Sequence, residues 1–236
     1  MQIMTVPKTI GFFGDSFCSV LDSTLPGKID TYIKKLKSFY NADILNLGVA
    51  GSSIEDALLL QLKPFETAKK FPDVCIFVWT DPGRIFHRTT RNINHSTMLR
   101  HVSDPKSPKI WNDALNYYEN FYDPELADVR YIALLHYIDN VILPTICSTS
   151  KIIHMWSFEK DFNSGEYYYR WNNGAEIRPA LFNISLTEQK ETPIYEDRPN
   201  HLGSEINNEI IFNWIKTAID DYESGKLYTY NIKEIK

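Results

Sequence analysis

Short apolar runs alternate with helical periodicities through the first half of the chain. Thr9-Ile10-Gly11-Phe12-Phe13 is largely apolar and ends in Gly14-Asp15-Ser16, which predicts a buried strand followed by a turn. Ile29, Ile33, Leu36 and Tyr40 recur at helical spacing and predict a helix over 29–40. Asp43 to Leu47 reads as a second strand, closed by Gly48 and Gly51. Ser52 or Ser53 is placed to cap a helix over 54–70. Asp73 to Trp79 holds the consecutive apolar residues Val74-Cys75-Ile76-Phe77-Val78, so both of its faces are expected to be covered, as in a central parallel strand.

The pattern breaks between about Asp81 and Asp123, where Pro82, Gly83, Pro105 and Pro108 fall among basic residues and histidines. A helix returns over 126–145, with Val129, Ile132, Ala133, His136, Tyr137 and Val141 recurring at a period near 3.6. Lys151 to Trp156 predicts a fourth strand, and 159–191 reads as irregular. A closing helix over 201–222 would bury Ile206, Ile210, Ile211, Trp214, Ile215 and Ile219. The tail from Ser224 reads as a surface appendage. Strands alternating with helices define an α/β protein with a parallel sheet covered on both faces. The expectation is a single domain over 1–236 with loop insertions at about 82–125 and 157–200. In such sheets functional residues collect at the carboxyl ends of the strands. The first three strands end at Gly14-Asp15-Ser16, at Gly48 to Gly51 and at Thr80-Asp81, which places all three along one edge.

Composition narrows the partners. The 236 residues are 43% hydrophobic and 23% charged, with a formal net charge of -5. That balance lacks the basic footprint of a nucleic-acid binder. Cys18, Cys75 and Cys147 are odd in number, widely spaced and outside any C-x-x-C pair, which argues against a disulfide framework or a zinc site and fits a reducing compartment. The first eight residues are too short and polar for a secretory signal, and no apolar run approaches the roughly 20 residues that span a bilayer. A soluble cytoplasmic protein with no membrane partner is expected. Aromatic residues are abundant, at 14%, and serve either packing or the stacking of sugars and bases.

A serine between a strand and a helix is exposed by the turn, with backbone N–H groups near its hydroxyl to hold an oxyanion. It needs a base within hydrogen-bond reach. His201, before the closing helix in Asp197-Arg198-Pro199-Asn200-His201, is placed to supply one, and Asp197 can orient its imidazole. His87, His95 and His101 read as surface residues, His136 and His154 as packed ones. No H-x-x-x-H pair occurs, so no metal is expected. Arg84, Arg88, Arg91 and Arg100 make the first insertion basic. Of these, Arg84 follows the third strand closely enough to reach the mouth of the site. Tyr167 to Trp171 forms either a stacking platform or a packing loop. Cys18 is expected to pack rather than to react.

These residues resemble the SGNH/GDSL hydrolase superfamily. Gly14-Asp15-Ser16 is similar to its first block, Asn46 to Ser53 to its second, Trp79-Thr80-Asp81 to its third, and His201 falls on the histidine of its last block. The resemblance implies a three-layer α/β/α sandwich of flavodoxin-like type and hydrolysis of esters, thioesters or acylated sugars without metal or other cofactor. Ser16 would be the nucleophile, His201 the base and Asp197 its acid. The N–H groups of Ser16 and Gly51, with the Thr80 hydroxyl, would form the oxyanion hole. Asp15, Asp81 and Arg84 would border the substrate, Asp15 chiefly by bracing the turn. The chain departs from the family where Thr80 replaces an asparagine and where Arg198, not an aspartate, lies three residues before His201. An esterase acting on a small-molecule or O-acetylated carbohydrate ester is the leading expectation. A weakly catalytic carbohydrate-binding or assembly module and an acyltransferase using the same residues remain open.

Overall fold

The computed structural model describes residues 6–18, 31–68, 70–90, 93–146, 148–161, 164–189, 202 and 204–231. Six strands form one sheet: β1 (Thr9–Gly14), β2 (Asp43–Asn46), β3 (Val74–Trp79), β4 (Lys151–Trp156), β5 (Ala175–Arg178) and β6 (Leu227–Thr229), in the order β2-β1-β3-β4-β5-β6. Every pairing is parallel. The apolar run of β3 is buried throughout, as its central place demands, whereas edge strand β2 is only partly covered.

Alternation along the strands sorts their side chains into two cores. Ile10, Phe12, Ile76, Val78, Ile153 and Met155 face one side. There they meet α1 (Tyr32–Tyr40) through Ile33 and Leu36, and the closing helix through Ile211 and Ile215. Phe13, Cys75, Phe77, Trp79, Ile152 and Trp156 face the other side. There they meet α2, which runs from Ile54–Asp56 through the π-helical turns Ala57–Leu62 to Lys63–Ala68, by way of Leu58 and Leu62. Each fully buried side chain of this size stabilises by about 1.5–3 kcal/mol. The helix ends follow local chemistry. Thr31 accepts from the Lys34 N–H and Asn41 closes α1 in the left-handed region. Of the two candidate caps for α2, Ser53 does the capping.

Several sequence expectations change. The 82–125 segment is not one long loop, because it holds α3 (His95–Val102) and α4 (Ile110–Asn120) around a small core of Ile93, Met98, Trp111 and Ala114. The 157–200 segment contains β5 and α6 (Leu181–Gln189). The tail beyond Ser224 contributes β6, the far edge of the sheet, rather than an appendage. Helix α5 is Pro124–Tyr137, continued through the π-helical Ile138–Ile142 to Leu143–Ile146. It turns Ala127, Tyr131, Leu135, Ile138 and Ile142 inward and leaves Val129, Ile132, Ala133, His136, Tyr137 and Val141 exposed. In the closing helix, α7 (Glu205–Asp220), Ile211, Trp214, Ile215 and Ile219 are buried and Ile206 is exposed. No helix among the described residues is long and apolar enough to cross a membrane.

Candidate active site

The carboxyl end of β1 is shaped by Gly14. Its φ is +136°, and a Cβ there would lie 2.1 Å from the Val78 carbonyl oxygen, so only glycine lets the chain leave the sheet at this point. The Gly14 N–H donates to Gln61 Oε1 at 2.6 Å. Its carbonyl accepts from the Val49 N–H at 3.0 Å, Ser52 Oγ at 2.8 Å and Gln61 Nε2 at 3.1 Å. Gln61 lies in the π-helical part of α2 and also donates to Asp56 Oδ2 at 2.9 Å. One residue of β1 is thus fixed through both of its backbone polar groups to the loop after β2 and to α2.

Asp15 follows and is fully buried. Its Oδ1 accepts from the Phe17 N–H at 3.0 Å, and its carbonyl accepts from the Cys18 N–H at 3.2 Å. These bonds close the turn around Ser16, which remains half-buried. Among the described residues, nothing engages the hydroxyl or the N–H of Ser16. The same holds for the N–H of Gly51, whose φ of +76° turns the second loop. Backbone donors left unspent beside a serine can hold a developing oxyanion.

Pairing between β1 and β3 ends at Gly14 opposite Val78, so Ser16 and Thr80 each lie two residues beyond that last pair on neighbouring strands. The Thr80 hydroxyl is buried with no hydrogen-bond partner among the described residues, while its carbonyl accepts from the Tyr131 hydroxyl. Ser157 stands at the end of β4, one step past the Trp79–Trp156 pair and level with Thr80. Its N–H donates to the Trp79 carbonyl at 2.7 Å, and its hydroxyl is likewise buried and unpartnered. Sequence reading did not single out Ser157 or Gln61. Neither lies in a motif, and only the sheet register and the π-helical turn bring them beside Thr80 and Gly14.

Arg84 joins the strand ends. It is 5% exposed, and its Nη2 lies 3.2 Å from Asp15 Oδ2. Its Nε donates to Asp81 Oδ2 at 2.9 Å and its Nη1 to the Ser52 carbonyl at 3.1 Å, and the guanidinium lies over the Phe158 ring. Burial works against its charge, but Asp15 and Asp81 outweigh that and hold its pKa above the usual arginine value. Asp81 spends its other oxygen on the Gly83 N–H at 2.9 Å. Arg84 and Asp81 therefore tie the three loops together, with the guanidinium turned inward rather than offered at the mouth.

The structure brings Ser16, Gly51, Thr80, Asp15, Asp81 and Arg84 to one edge of the sheet. His201 and Asp197 lie outside the described residues. Next to His201, Leu202 is buried, and its carbonyl accepts from Asn208 Nδ2 at 2.9 Å. Asn208 also accepts from the Tyr32 N–H at 2.9 Å, which locks the start of α7 to α1. Cys18 is fully buried, and burial followed by the Asp15 charge pushes its thiol pKa well up, which disfavours a thiolate. Trp171 is buried in a stack with His154 (3.9 Å between ring centres) and Trp79 (4.9 Å), so it packs the domain rather than offering a platform. His154 is buried as expected, whereas His136 is exposed.

The described residues thus form an α/β protein with an all-parallel sheet and the Ser16 turn at its carboxyl edge. Comparison with solved structures agrees on the fold. The chain superposes on a catalytic mutant of an acetylxylan esterase from Geobacillus stearothermophilus with a TM-score of 0.51, at 15% identity, covering 93% of this chain and 96% of that one. A psychrotrophic esterase from Pseudoalteromonas is more distant, with a TM-score of 0.45 at 12% identity over 91% of this chain and 98% of that one. No protein-family profile and no curated protein sequence matches the chain.

Proposed function

We propose that this protein is a serine esterase or deacylase that hydrolyses a carboxylic ester, an O-acetylated carbohydrate being the foremost substrate class. The observation that carries this reading is that, among the described residues, the Ser16 hydroxyl and N–H are unspent in a turn clamped by Asp15 and Arg84, and so is the Gly51 N–H on the adjoining loop. A site built only as a structural turn has no need to leave these groups free. The fold shared with an acetylxylan esterase is consistent with the substrate class.

In this mechanism His201 removes the Ser16 proton as the hydroxyl oxygen attacks the ester carbonyl. The N–H groups of Ser16 and Gly51 hold the oxyanion, and Thr80 contributes its hydroxyl on rotating toward the substrate. His201, oriented by Asp197, then protonates the departing alcohol. Water attacks the acyl-enzyme, with His201 again as base, and releases the acid. Asp15, Asp81 and Arg84 keep the loops in place around the acyl group.

Fluorophosphonate labelling and hydrolysis of a short-chain aryl ester test the proposal. Covalent labelling that disappears in Ser16→Ala and in His201→Ala is expected. Absence of labelling in folded protein, or labelling that survives Ser16→Ala, overturns it. The sealed Thr80 hydroxyl favours one second reading, a carbohydrate-binding module without turnover. That reading requires glycan binding that persists in Ser16→Ala alongside an unlabelled wild type.

A further inference from the structure

Helix α5 has two apolar faces. The inner one, Tyr131, Leu135, Ile138 and Ile142, meets the sheet. The outer one is the periodic face evident in the sequence, and nothing among the described residues covers it. Leu126, Val129, Ala133, Tyr137 and Val141 follow one another at steps of three or four residues, with Ile132 alongside. Exposure is 66% for Leu126, 64% for Val129, 41% for Ile132, 41% for Tyr137 and 51% for Val141. Phe121, just before the helix, is 69% exposed. An apolar surface on the order of 500 Å² results, at the upper end of what a monomer ordinarily leaves in water.

We propose that this outer face of α5 is the interface of a two-fold homodimer. Three observations select a second copy as the occupant. The first is area: a standard interface buries about 800 Å² per partner, and an apolar centre of this size with its polar margin of Glu125, Asp128, His136 and Asn140 meets that requirement. The second is shape. The row Val129-Ala133-Tyr137 runs at i, i+4 spacing in the α-helical part of α5, the ridge used in the commonest class of helix packing, and it is convex rather than a groove, with Val141 following in the π-helical continuation. Ala133 stands within the ridge and lets two axes approach closely. A two-fold axis beside it sets Val129 against the partner's Tyr137 and Tyr137 against the partner's Val129, so the surface is complementary to itself.

The third observation is charge. Between residues 124 and 146 Arg130 is the only lysine or arginine, and it is paired with Glu55 at 3.1 Å. The margin is otherwise acidic or neutral, which suits a second protein surface and opposes an anionic lipid surface.

Sedimentation equilibrium of the full chain at tens of micromolar tests the interface. The wild type is expected at twice the monomer mass. The variant Val129→Glu with Tyr137→Glu is expected to be monomeric, with an unchanged far-ultraviolet circular dichroism spectrum. Ala133→Cys is expected to yield a covalent dimer on oxidation, while Leu99→Cys, exposed on α3, yields none. A monomeric wild type overturns the proposal, as does a dimer that survives the double substitution. A wild type that is monomeric and binds phosphatidylcholine–phosphatidylserine vesicles through Val129 and Tyr137 overturns it in favour of a lipid surface. Ester hydrolysis is measured separately and does not enter these outcomes.

Discussion

Replacing Arg84 with methionine isolates the contact that holds the three loops of the site together. Arg84 and Asp15 are both more than nine-tenths buried, and their closest charged atoms are 3.2 Å apart. Truncation leaves the Asp15 carboxylate, among the described residues, with only the Phe17 N–H for company, and breaking a buried pair in this way costs about 3–5 kcal/mol. Asp81 is 37% exposed and adds less than about 1 kcal/mol to that figure. At about 2–4 °C per kcal/mol for a chain of this size, Arg84→Met is expected to lower the thermal midpoint by roughly 6–20 °C. The double variant Arg84→Met with Asp15→Asn removes the stranded charge and keeps an acceptor for Phe17, so it is expected to recover about 1–3 kcal/mol relative to Arg84→Met alone. Urea and thermal denaturation of the four members of this cycle give the answer. A loss below about 1 kcal/mol in Arg84→Met, or a double variant no more stable than that single one, would refute the reasoning.

Thr80→Val deletes a buried hydroxyl that has no partner among the described residues, so stability is expected to hold or to rise by up to about 1 kcal/mol while ester turnover falls about 10²–10³-fold. Unchanged turnover removes Thr80 from the oxyanion hole. Burial draws the pKa of His154 down to about 3, against about 6.5 in the unfolded chain, so between these values the unfolded state binds the extra proton. Stability therefore declines as pH falls through that window, by up to about 1.4 kcal/mol per pH unit, and urea midpoints of His154→Gln should show a flatter acid limb. An identical slope in wild type and variant contradicts this. Gly14→Ala forces a side chain against the Val78 carbonyl at a positive φ and is expected to cost at least about 3 kcal/mol in denaturant titrations. A near-neutral result there means that the turn can reorganise.

Strands β1, β3 and β4 were legible because burial on both faces writes a largely apolar run, and β2 through its short Ile44-Leu45 pair closed by glycines. β5 was not, since its four residues include Glu176 and Arg178. Their charges are met inside the fold, with the Glu176 carboxylate accepting from Trp156 Nε1 and Arg178 Nε. β6 is three residues at an edge, too short to show alternation. The inner face of α5 was not legible because it carries the hydroxyl of Tyr131 and the carboxylate of Asp139, which is buried and satisfied by Tyr169, Asn172 and Asn173. Periodicity alone then points to the more apolar outer side. In the site, Gly14-Asp15-Ser16, Gly51 and Thr80 are recognisable by motif. The roles of Gln61 and Ser157, and the inward turn of Arg84, depend on register between distant segments and leave no local signature.

The strand order also bears on how the chain meets the ribosome. After β1 and β2 pair, β3 joins the open side of β1, and each strand from β4 to β6 joins beside the one made before it. The sheet therefore extends at a single growing edge in the order of synthesis, and no strand has to be inserted between two already paired. Each new strand covers the open edge left by its predecessor, which shortens the time that an unpaired row of N–H and C=O groups is offered to neighbouring chains. The short β6, with Lys226 beside it, is the last of these covers. Its removal would turn β5 into a permanent open edge, and the cost would appear as aggregation during expression more than as loss of chemistry at the far side of the sheet.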